Sequence, residues 1–63
     1  MNPSMPFKII VINSFKSPVS GTTIEEGTIL AEAEFEETIK KIHSMLLPDI
    51  RSNSKIMSLN NVN

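Results

Sequence analysis

The first apolar stretch, Phe7 to Asn13, is dominated by β-branched residues, which fit a pleated surface. Pro3 and Pro6 stand ahead of it, and proline biases its predecessor toward extended backbone. A strand is therefore expected here. Its odd positions are Phe7, Ile9 and Val11, and its even positions include Ile10 and Ile12. Both faces are apolar in the middle, as in a strand covered from two sides.

The second stretch, residues 28 to 47, changes period part-way along. Counting back from Leu46 at helical spacing places Ile42, Ile39 and Phe35 on one face. Carried further, the same face meets Glu32 and leaves Ile29 and Leu30 aside, so the helical pattern stops at Phe35. Before that point Ile29, Ala31, Ala33 and Phe35 alternate with Leu30, Glu32, Glu34 and Glu36, a period of two. The pattern predicts a strand over residues 28 to 35 and a helix over 36 to 47. The alternative is a strand followed by one long helix over 29 to 47 and a disordered tail, which the helix propensity of Ala, Glu and Leu favours.

Glu36 and Glu37 fall in the first turn of the expected helix, where the macrodipole favours anions. They precede Lys40 and Lys41 by four residues, the better orientation for side-chain pairing. Pro48 is expected to end the helix, and Lys55 to Leu59 to add a short third strand. Lys16 to Thr23, with Pro18 and Gly21, reads as loop. Residues 1 to 5 and 60 to 63 are expected to be flexible. The fold class is thus α+β, a small two-layer strand-strand-helix(-strand) arrangement, with residues 1 to 63 forming a single domain.

A core follows from these elements. Phe7, Ile9 and Val11 pair with Ile29, Ala31, Ala33 and Phe35 beneath the helix residues Ile39, Ile42, Met45 and Leu46. Ile10, Ile12 and Leu30 are left on the sheet's other face. A contiguous apolar patch facing solvent marks an interaction surface, unless Ile50, Ile56 and Met57 fold back over it.

Size makes that patch matter more. A chain of 63 residues without cysteine buries only about 60% of its unfolded surface and has no disulfide to stabilise it. A partner or a second copy is expected to supply part of the stability. The longest strictly apolar run, Ile9 to Ile12, falls far short of the ~20 residues that span a bilayer. No basic segment leads into a signal-peptide core, so no membrane association and a cytoplasmic location are expected.

Charge is segregated although the formal net charge is −1. Residues 1 to 24 carry Lys8 and Lys16, whereas residues 25 to 37 hold Glu25, Glu26, Glu32, Glu34, Glu36 and Glu37. Such local fields steer partners even when the net charge is near zero. On a strand, Glu32 and Glu34 project from one face about 7 Å apart. They are candidates for docking on a basic groove, or else a charged face that keeps a sheet edge from aggregating. Nucleic-acid binding is disfavoured, because Lys40, Lys41, Arg51 and Lys55 are scattered and lack an aromatic platform.

Catalytic chemistry finds little material. His43, the single histidine, has Ile39 and Leu47 as its i−4 and i+4 neighbours, so no metal or triad spacing involves it. Neither a phosphate-binding loop nor a dinucleotide fingerprint is present. No cofactor, metal or catalytic residue is assigned. The run Asn13 to Thr23 after the first strand resembles the hydroxyl-rich loop that opens flavodoxin-like flavin reductases, but their five-strand parallel sheet needs a much longer chain.

The order strand, long loop, strand, helix also resembles small phage inhibitors of host RNA polymerase and compact HicB-type antitoxins. Ala33-Glu34-Phe35-Glu36-Glu37-Thr38-Ile39 is the matching segment, with Phe35 where a capping Ser or Asp is usual. The resemblance implies a small binder or regulator of another protein. The expected function is a non-enzymatic protein–protein interaction module, an inhibitor or accessory regulator, with Ile10, Ile12, Leu30, Glu32 and Glu34 as partner-binding residues. The alternatives are an assembly subunit ordered only within a complex, and a nucleotide-binding fragment or small enzyme.

Overall fold

The computed structural model describes residues 5 to 59; the flexible ends expected at 1 to 5 and 60 to 63 fall, Met5 apart, outside the described residues. Strand β1 (Phe7–Val11) is the centre of a three-stranded sheet of order β4-β1-β5. Its neighbours β4 (Ile29–Ala33) and β5 (Ser54–Ser58) both run antiparallel to it. The two edge strands are therefore parallel to each other. Helix α1 (Glu36–Ser44) crosses one face and packs on all three strands. This is a two-layer α+β domain, and the split of residues 28 to 47 into strand and helix holds.

Register decides which side chains meet the helix. Ile9 lies opposite Ala31 on one side and Ile56 on the other, while Phe7 lies opposite Ala33 and Ser58. Ile9 and Ile39 are fully buried and, with Ala33, form the centre of the core. Phe7, Leu30, Ala31, Ile42, Leu46 and Ile56 pack around them. Ala31 and Ala33 are small, which lets α1 sit close over the strand pair. Val11 is buried as well.

Four core expectations are corrected. Pairing of β1 with β4 shifts between Ile9 and Ile10, so that Ile9 faces Ala31 but Ile10 faces Ile29. Leu30 is the extra residue of this β-bulge. It turns with Ala31 toward the core, and Ile29 goes to the opposite face at 45% exposure. Phe35 is 66% exposed and stands at the N-cap of α1 rather than in β4. Met45, at 75% exposure, sits at the helix C-cap, while the next residue, Leu46, packs against the core.

The helix also ends earlier than expected. Leu47 precedes a proline and is extended at φ −60°, ψ 149°, the conformation such a residue is pushed into. The last turn tightens, with Met45 N–H donating to the carbonyls of Lys41 and Ile42 and Leu46 N–H to His43. Pro48 then opens a second helix, α2 (Pro48–Ser52), at its first position, where its missing N–H costs nothing. Arg51 ties the two helices together: its Nη1 donates to the carbonyl oxygens of Ser44 at 3.0 Å and Leu46 at 3.2 Å. These are among the acceptors a helix end leaves unpaired. Of the two side-chain pairs expected on α1, Glu36 and Lys40 close to 3.4 Å.

The segment read as loop contains a two-stranded ribbon, β2 (Phe15–Lys16) paired with β3 (Thr23–Ile24). Gly21, at φ +76°, closes its tip, and its N–H donates to the Ser17 carbonyl. A second turn leads into β4, with Thr28 N–H donating to the Glu25 carbonyl at 3.1 Å and Gly27 at φ +93°. A type II turn requires that positive φ at its third position.

Candidate functional site

Alternation along three paired strands leaves a second sheet face on the side away from α1. It is built of two cross-strand rows. One row reads Ile29, Ile10, Lys55 across β4, β1 and β5, and the next reads Glu32, Lys8, Met57. Ile10 is half-buried between its neighbours, whereas Ile29 and Met57 are 45% and 43% exposed. The face therefore carries an apolar diagonal, Ile29–Ile10–Met57, through a field of three charges.

The charges are not evenly spread. Glu32 is on edge strand β4, Lys8 is central, and Lys55 is on edge strand β5. Directly opposed side chains of an antiparallel pair have Cβ atoms about 5 Å apart, and opposite charges there contribute ~0.2–1 kcal/mol. Glu32 and Lys8 stand in that relation. The face is thus acidic along one edge and basic along the middle and the other edge.

Of the residues expected to bind a partner, Ile10 and Glu32 lie on this face. Ile12 follows the end of β1 at 36% exposure, its N–H held by the Asn53 carbonyl. Leu30 does not join them, because the bulge turns it into the core. Glu34 is exposed but lies beyond β4, in the bend that leads to α1, so it is not the next position of a stripe with Glu32. The alternative in which Ile50, Ile56 and Met57 fold back over this face is not what Ile56 and Met57 do. Ile56 faces α1, while Met57 belongs to the open face as part of β5.

Sequence reasoning did not assign Ile29, Lys8, Lys55 or Met57 to the site. The alternation Lys55, Ile56, Met57 was visible and, once taken as a strand, places its first and third members together. Ile29 had no such signal, since a bulge breaks the period that alternation relies on.

Elsewhere the chemistry is spent internally. In the ribbon turn, Ser17 Oγ accepts from the N–H groups of Val19 and Ser20, each at 3.3 Å, and the hydroxyls of Ser20 and Thr22 lie 2.8 Å apart. The hydroxyl-rich loop is closed on its own backbone. His43 Nε2 is buried without a hydrogen-bond partner. Among the described residues no group of three or more His, Cys, Asp or Glu could hold a metal ion, and no helix is long and apolar enough to cross a membrane. Comparisons of the chain with protein-family models, with curated proteins and with solved structures find no match.

Proposed function

We propose that the protein is a cytoplasmic, non-enzymatic protein–protein interaction module, of the inhibitor or accessory-regulator class, that docks through the open face of the β4-β1-β5 sheet. The observation that supports this reading is the apolar diagonal Ile29–Ile10–Met57 set among Glu32, Lys8 and Lys55 on one sheet face. An apolar centre supplies binding energy by leaving water. Charges around it suppress wrong partners and fix orientation more than they add affinity. The same face gives a short chain a way to gain stability that its small core does not provide.

Capture from extract of the source cell tests the reading, with the wild-type chain, Ile10→Asp and Ile29→Asp as baits. Each bait is first shown to be folded by circular dichroism. A protein retained by the wild type and released by both variants supports face docking. Equal retention by all three overturns it. An assembly subunit that orders only in its complex would instead give a wild-type chain with no cooperative melt when purified alone.

A further inference from the structure

We draw no further inference here: the strongest candidate, the open face of the β4-β1-β5 sheet with its apolar diagonal Ile29–Ile10–Met57 among Lys8, Lys55 and Glu32, belongs to the site already described, and nothing in the structure shows what covers it.

Discussion

Replacing Phe35 with aspartate would unfold a protein in which that ring sat in the core, and here it should do almost nothing. Phe35 is the N-cap of α1, at φ −120° and ψ 143°, and its side chain makes no capping bond. An aspartate at that position accepts from the N–H of Glu37 or Thr38, a gain of about 1 kcal/mol. Its charge also meets the positive end of the helix dipole, which adds ~0.5 kcal/mol, although Glu36 and Glu37 in the same turn oppose it. Against this stands the lost contact of the ring. At 66% exposure, about 70 Å² of a phenylalanine's ~200 Å² returns to water. At 25 cal/mol per Å² that costs about 1.7 kcal/mol.

The two sides nearly cancel, leaving a net change within about 1 kcal/mol. A core phenylalanine would cost ~3–5 kcal/mol for its volume alone, before any cost of burying a carboxylate. Thermal melts followed by circular dichroism distinguish these cases, because 1 kcal/mol moves the midpoint by about 4–8 °C in a domain of this size. Phe35→Asn is the companion variant. It keeps the cap without adding a charge to the Glu34, Glu36, Glu37 run, and should melt no lower than Phe35→Asp. A fall of more than ~15 °C for both would refute the cap assignment and return Phe35 to the core.

Three further outcomes follow from particular contacts. Arg51→Ala removes the Nη1 bonds to Ser44 and Leu46 and should cost about 1 kcal/mol in urea unfolding; Arg51→Lys should recover less than half, since one ammonium lacks the guanidinium's fork. Gly27→Ala forces a side chain to φ +93° with no steric neighbour within 4 Å, so the backbone alone should lower stability by ~1–2 kcal/mol, and an unchanged midpoint would show that the turn is formed differently. Ile39→Ala empties a fully buried position at ~2–5 kcal/mol. That is comparable with the whole stability of a chain this short, roughly 3–9 kcal/mol, so its amide exchange at 25 °C should approach unfolded rates.

The elements were more legible in the sequence than the surface they make. The β-branched run of β1 and the change of period near Phe35 each carried a local signal, and the expected third strand at the tail is present as β5. The helix stop at Pro48 was read from the wrong side. Proline there restrains Leu47 and starts α2, so the true end of α1 lies earlier, at Ser44. Phe35 misled for a related reason. It continues both the strand's alternation and the helix's apolar face, yet the chain turns there, and a residue shared by two periods belongs to neither. The candidate face was legible at Ile10 and Glu32 and illegible at Ile29 and Leu30, because register across strands is not a property of either strand alone.

That one-residue shift has a physical logic. With strict alternation through β4, Ile29, Ala31 and Ala33 would all face α1 and Leu30 would pair with Glu32 on the outside. The bulge between Ile9 and Ile10 instead delivers Leu30 together with Ala31 to the core, in exchange for Ile29. The exchange also moves Ile29 outward, beside Ile10 in the central strand. A single irregularity thus decides which apolar residue of β4 serves each layer, Leu30 the inner one and Ile29 the outer one. It acts at the edge strand that also carries Glu32, so the apolar and acidic halves of the open face are set by the same backbone feature. Bulges re-aim side chains in this way at sheet edges. Each layer keeps one large apolar side chain from β4, Leu30 beneath α1 and Ile29 beside Ile10 on the open face.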